Sequence, residues 1–434
     1  MFQFWNRYLL LVPRIELKAT NAKYQIMNKN RLLVAALALL ILSSAANTVQ
    51  AVEIVKSIPL NARAPLAYDS YKGAVWLTTS YSYVNELGMH VSNPTDTISA
   101  ISDSNYAVLA NISLGYNPGS IAYDSALHEL YVANQASGTI SVISDTTNSI
   151  VATIDLHISG NGGITGMVYD SGMGEMFVSS YVFGGIFVIS DKTQQVVATI
   201  LLGNDPYPGS LTYDSGKGEI YVRYQGLPEK NPANFVSVIS DANNSVIATV
   251  PLGISVPFNA PVGPGSYDSA TNEIYFVDSL NSSMLVISDE THTMVDSIQL
   301  EPSSFSLGCD PAKGYLFVGT PYNTTYIISD KTKSTLGTVP ISCFYMLYDS
   351  GKGVMIALSG ASSLQFVSDN SLSSISPTQT VSRSPESPTP TAPVSSPSLL
   401  ATPTVPEFSW LAILPLFLSV LFIAVKLKHR KTTK

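Results

Sequence analysis

The chain has 434 residues, of which 45% are hydrophobic and only 12% charged, and a formal charge of −8. Between Val52 and Ser371, 28 Asp and Glu stand against 11 Lys and Arg. That stretch would repel a phosphate backbone, which excludes nucleic acid as a partner and leaves cations or basic groups better matched. Two cysteines are too few for a disulfide framework or a thiolate metal site.

At the N-terminal end, residues 1–26 read as an over-extension ahead of Met27. Residues 27–51 read as a secretory signal. Lys29 and Arg31 form its basic start, Leu32 to Leu42 its apolar run, and Val49 and Ala51 the small residues of a cleavage site. Eleven apolar residues are short for a membrane span, which takes about 20. An uncleaved N-terminal anchor is the alternative.

From Val52 onward one pattern recurs. A Tyr-Asp-Ser step begins at Tyr68, Tyr123, Tyr169, Tyr213, Tyr267 and Tyr348, with Cys309-Asp310-Pro311 in its place once. A short apolar strand follows, such as Glu129-Leu130-Tyr131-Val132. Next comes a strand ending in Ser-Asp, at Asp103, Asp145, Asp191, Asp241, Asp289, Asp330 and Asp369. Last is a strand like Val196-Val197-Ala198-Thr199-Ile200. Four strands in some 40–50 residues make one propeller blade, so seven sets of markers predict an all-β, seven-bladed β-propeller over residues 52–371. The seventh set lacks a fourth strand, and a spare strand of that type, Val52 to Leu60, precedes the first. Pairing the two closes the ring and removes exposed edges.

These strands resemble the YVTN-type β-propeller repeat family of secreted and surface-layer proteins. The likeness is carried by Tyr131-Val132 and Tyr221-Val222, by Thr139 to Ser144, and by the Val-Val-Ala-Thr-Ile strand. Blades one, six and seven depart from it, with Trp76-Leu77, Phe317-Val318 and Ile356-Ala357 where Tyr-Val is expected. The resemblance implies the fold and no settled activity.

Turns in a meander alternate between the ends of a blade, so the Asp-Ser-Gly-Lys-Gly and Ser-Asp turns share one face. Their aspartates suit Asx-turns. One carboxylate per turn is thin for calcium, which takes six to eight oxygens, and the reading is of no metal. Length variation falls on the other face, at Tyr81 to Thr95, His157 to Gly163, Gly203 to Pro208, Gln225 to Asn234 and Gly253 to Gly265. Insertions confined to one face of a repeat array often mark its binding face. Tyr81, Tyr83, Tyr207, Tyr224, Phe258 and Asn259 are therefore the candidate ligand contacts, since loop aromatics offer large contact area at little entropic cost.

Signals of catalysis are sparse. His90 and His157 fall on the loop face and His128 and His292 on the short-turn face. No metal spacing, nucleophile elbow, P-loop or cofactor motif occurs, so no catalytic residue and no cofactor are assigned. Only Arg63 and Arg223 offer a guanidinium clamp. Cys309 and Cys343 lie in the innermost strands of adjacent blades and are a candidate disulfide in an oxidising setting. Asn111, Asn243, Asn281 and Asn323 open N-glycosylation sequons, the last three in predicted turns.

Residues 372–407 are rich in Ser, Thr and Pro and read as an extended stalk. Phe408 to Val425 read as a transmembrane helix. Residues 426–434, with Lys426, Lys428, Arg430, Lys431 and Lys434, read as a cytoplasmic tail. Pro406-Glu407-Phe408, the apolar helix and the basic end resemble the tripartite sorting tails of archaeal surface proteins, which implies transpeptidase processing. A plain transmembrane anchor is the alternative. Two functions are expected from these readings. One is a surface-anchored protein binding an extracellular protein or glycan, or serving as an envelope component, through the loop face. The other is a secreted enzyme of lactonase, lyase or quinoprotein type with a site in the central channel.

Overall fold

A computed structural model of the chain describes residues 54–368, apart from 60–61, 80–81, 85–89, 93–96, 115–116, 159–162, 204–206, 225–232, 257–264, 350 and 360–362. The segments read above as signal, stalk, transmembrane helix and basic tail lie outside the described residues.

Seven four-stranded antiparallel sheets account for almost all of the described chain. Blade two is typical, with strands Pro118–Asp124, Glu129–Asn134, Thr139–Ser144 and Ser149–Asp155 in sequential order from the centre outward. Its two middle strands are buried almost throughout because neighbouring blades cover both their faces. That explains continuous apolar runs such as Leu130-Tyr131-Val132-Ala133, which suit a doubly covered strand. The outermost strand keeps only Ile154 buried and exposes Ile150 and Val151.

Blade seven closes as expected. Ile54–Pro59 pairs antiparallel with Ser363–Ser368, outside Val354–Ser359 and Tyr345–Asp349. The first strand of the propeller is thus the last strand of its last sheet. Seven hydrophobic clusters fill the seven seams between blades, and the one joining blades seven and one sets Val75 and Leu77 against Ile356 and Phe366. The core is a ring of interfaces, each tied to its two neighbours.

Every outermost strand carries a β-bulge. The register slips between Ala100 and Ile101, between Val142 and Ile143, and at the matching place in the other five sheets. The extra residue bends the edge away from further strand pairing, which protects seven exposed edges from aggregation. Blade one adds a small hairpin, Ser82–Val84 with His90–Ser92, inside the predicted insertion at Tyr81 to Thr95.

Candidate functional site

The short-turn face is closed by a repeated polar network. Each Tyr-Asp-Ser aspartate turns Oδ1 back onto its own turn. Asp69 accepts from the N–H groups of Tyr71 and Lys72, Asp170 from Gly172 and Met173, and Asp214 from Gly216 and Lys217, at 2.7–3.2 Å. These are the expected Asx-turns, and the aspartates are 0–2% exposed. In blades one to three the tyrosine beside each aspartate reaches the Ser-Asp carboxylate of its own blade: Tyr68 donates to Asp103 (2.8 Å), Tyr123 to Asp145 (3.0 Å) and Tyr169 to Asp191 (3.0 Å). The same hydroxyls lie against the aspartate of the preceding blade, Asp349, Asp69 and Asp124 respectively. Burial, and then these carboxylates, hold the phenols well above their ordinary range.

Lysines continue the lattice. Lys72 donates to the carbonyl of Asp145, Lys217 to the carbonyl of Asp289 at 2.8 Å, and Lys352 to the carboxylate of Asp103. His292 pairs with Glu219 (2.9 Å), and His128 stacks under Tyr71 with ring centroids 3.9 Å apart. Both histidines are engaged in contacts between adjacent blades. This face is a clasp, and the sequence did not show that its tyrosines and lysines reach from blade to blade.

The central channel encloses about 420 Å³. Its wall is made of inner-strand residues such as Ser120, Thr165, Gly166, Ser210 and Ser266, with Leu66, Ile121, Met167 and Leu211 between them. No His, Asp, Glu, Lys or Arg is among the described residues lining it. Among the described residues no three His, Cys, Asp or Glu side chains are grouped as a metal ion would require.

On the loop face the structure brings together an aromatic pair. Tyr181, in the tight turn between the second and third strands of blade three, stacks on Tyr207 from the connection into blade four. Their centroids are 5.6 Å apart and their planes 5° from parallel. Tyr181 and its neighbour Val182 are 39% and 45% exposed. Tyr207 was expected here; Tyr181 was missed because its turn has the common length and only its exposure sets it apart. Tyr224 is a correction. It is 2% exposed, donates to Ser237 Oγ (2.8 Å) and packs on Phe235, so burial pushes its phenol up to about 12 and removes it from the surface. It stands at the end of a middle strand, where both sheet faces are covered. Tyr81, Phe258 and Asn259 lie outside the described residues, and of Tyr83 only its place in the hairpin strand is described.

Arg223 is not a clamp. It is 1% exposed, donates to the carbonyl of Val277 in the next blade and lies over the Phe276 ring, and burial lowers its guanidinium to about 10. Arg63 sits in the first strand of blade one. The expected disulfide is not formed: both thiols are free. Ser306 Oγ donates to the Cys343 carbonyl at 3.0 Å, which sets Cys343 level with Ser306. Cys309 lies three residues further down that strand, about 10 Å away at strand rise, beyond the ~7 Å Cα reach of a bridge. Cys343 instead donates to the Tyr345 carbonyl (3.2 Å), while Cys309 takes the place of the clasp tyrosine, against Asp268 and Asp330. Asn243, Asn281 and Asn323 are exposed in turns, and Asn111 is exposed on an outermost strand with Oδ1 accepting from Ser99.

No protein-family profile matches the sequence, and no curated protein matches it. Solved structures do. A chain described as Kuenenia stuttgartiensis hydrazine synthase superposes with a TM-score of 0.54 at 12% identity, covering 69% of this chain and 92% of that one. At that identity the likeness shows the propeller fold alone.

Proposed function

We propose that the chain is a surface-anchored propeller of the YVTN type that binds an extracellular protein or glycan through its loop face. The observation that carries this reading is the contrast between the two ends of the ring. One end is stitched shut by buried Asp carboxylates, the Tyr hydroxyls that donate to them and surface Lys side chains laid over the turns. The other presents the parallel Tyr181–Tyr207 pair beside exposed Val182. Rigid aromatics held at a surface are efficient binding anchors. The channel wall is mostly hydroxyls, glycines and aliphatic groups; besides the Cys309 thiol and the Tyr345 and Tyr348 phenols, its described residues bring no carboxylate, imidazole or cation together, which supports binding over channel catalysis.

In this proposal residues 27–51 direct export, 372–407 hold the propeller off the membrane, and 408–425 anchor it with the C-terminus inside, unless the Pro406-Glu407-Phe408 tail is processed. Glycans are attached at Asn243, Asn281 and Asn323, and Asn111 is a further acceptor. The test is a glycan array and a pull-down from the extracellular fraction, run with wild type and with Tyr181→Ala/Tyr207→Ala. The double variant should lose at least tenfold in retained ligand while melting within ~2 °C of wild type, as surface changes do. Unchanged retention would remove the aromatic pair from the binding face.

A further inference from the structure

We propose that the outer rim of blades two, three and four is a contact surface for a second copy of this chain, met edge to edge through apolar side chains. At the bulge of each outermost strand there, the extra residue and the one before it are aliphatic. They are Ile150-Val151, Val196-Val197 and Val246-Ile247, and all six are 36–51% exposed. A regular strand would turn one of two neighbours inward; the bulge leaves both outside. Matching pairs stand in blades one, five and seven. These bulges hold twelve of the twenty-one large apolar side chains exposed among the described residues, so the exposure is concentrated and not scattered.

Strand propensity alone does not account for the pairs. The same three strands put Thr153, Thr199 and Thr249 at their next exposed position, so a polar β-former serves on this rim. Exposed sheet edges are ordinarily guarded by charge, yet the seven outermost strands hold only Lys56, Asp155 and Asp296. The bulges already oppose strand addition, which leaves side-chain packing as the way two rims can meet. Blades two to four form the uninterrupted arc. Blade one carries the Asn111 sequon, blade five Asp296 directly after Val295, and blade seven Lys56 directly after Val55. Blade six has Thr335 where the first aliphatic would stand. Within the arc only Asp155 is charged, at the far end of its strand, and Leu201 adds a further apolar side chain at 69% exposure.

Charge selects a second copy as the occupant. From Val52 to Ser371 the chain has 28 acidic against 11 basic residues, so two copies repel wherever charged surfaces face each other. An uncharged rim lets them approach without that repulsion, whereas a basic partner would find no carboxylates to pair with along the arc. A surface that meets its own copy has to be self-complementary, and aliphatic pairs repeated at one height on successive blades are. Each pair leaves roughly 80 Å² of apolar surface open. Two blades against two then cover about 300 Å², well below the ~1,200 Å² of a stable soluble complex. The contact therefore forms where copies are concentrated on one membrane, and to that extent it rests on the anchored reading above.

Full-length chain labelled in two batches, with donor and acceptor dyes, is mixed in lipid vesicles, and energy transfer is followed as protein density rises. Val151→Thr/Val197→Thr/Ile247→Thr keeps strand propensity and removes apolar surface. Leu127→Thr/Met173→Thr, at exposed apolar positions of the short-turn face, is the control. Wild type and control should show more transfer than random proximity gives. The triple variant should need at least tenfold higher density to match them, with all three proteins melting within ~2 °C of one another. Val197→Thr alone, at the centre of the arc, should shift the same way. Equal transfer in wild type and the rim variants, or wild-type transfer at the random level, overturns the proposal. So does a triple variant that loses adhesion to protein-free vesicles or glycan-array signal while its transfer is unaltered, which would assign the rim to lipid or glycan. Flotation with the vesicles checks the anchored reading separately. Sedimentation equilibrium in detergent needs no bilayer: wild type should self-associate at least tenfold more tightly than the triple variant, and equal constants refute the pairing even where the anchor stands.

Discussion

Removing the hydroxyl of Tyr169 isolates what one stitch of the clasp contributes. The side chain is 9% exposed, and its hydroxyl donates to Asp191 Oδ2 at 3.0 Å. Asp191 is itself 3% exposed, and its Oδ1 already lacks a partner. In Tyr169→Phe the ring stays packed against Ala122, Tyr131 and Met176, so no cavity opens and the loss is electrostatic. A hydrogen bond to a charged group contributes about 1.5–3 kcal/mol, and removing its donor leaves the carboxylate desolvated. A loss of about 2 kcal/mol corresponds to a roughly thirty-fold change in the folding equilibrium. Equilibrium unfolding in guanidinium chloride at pH 7.5 measures it as a lower midpoint at unchanged slope. Tyr71→Phe is the control, since Tyr71 is 66% exposed, and it should stay within about 0.5 kcal/mol of wild type. If Tyr169→Phe also stays within that margin, the clasp is decoration on a ring held by its apolar seams, and the reasoning about the closed face fails.

Two further tests address closure and packing. Deleting Ile54–Pro59 removes the strand that pairs five residues with Ser363–Ser368. At about 0.5–1.5 kcal/mol per hydrogen bond, the deletion should cost at least ~3 kcal/mol and expose a strand edge, seen as a lower midpoint and as soluble aggregates by size-exclusion chromatography. A deletion variant as stable as wild type would contradict closure by this strand. Gly319→Val should be destabilising by about 1–3 kcal/mol through overpacking, because a Cβ there would lie 2.6 Å from Cys343 Cβ. Pairing it with Ser306→Ala, which removes the hydroxyl that such a Cβ would meet first, should recover part of the loss, and no recovery would place the strain elsewhere.

The legible part of the candidate site was its location. Unequal loop lengths pointed to one face, and Tyr207 is where that pattern placed it. The pattern could not rank aromatics within the face. Tyr224 follows the same strand-end spacing yet is buried, because the neighbouring blade covers that edge and Ser237 receives its hydroxyl. Tyr181 carried no sequence signal, since exposure and ring stacking are relations between two connections 26 residues apart. The cysteines failed for a similar reason. Adjacent blades were read correctly, but height along the strand was not, and a bridge depends on both.

By itself, the sequence determined the number of blades, their four-strand order and the circular closure. Each of those is a local repeat whose periodicity and turn chemistry are written several times over, and an unmatched strand at the start answered a missing strand at the end. Tertiary structure alone decided what crosses the seams. The tyrosine of one blade between two carboxylates, the lysine reaching the next turn and the bulge in every outermost strand all depend on how blades tilt against one another. Those relations arise only when the ring closes, since curvature sets which side chains from successive repeats meet, and no spacing within a single repeat encodes it.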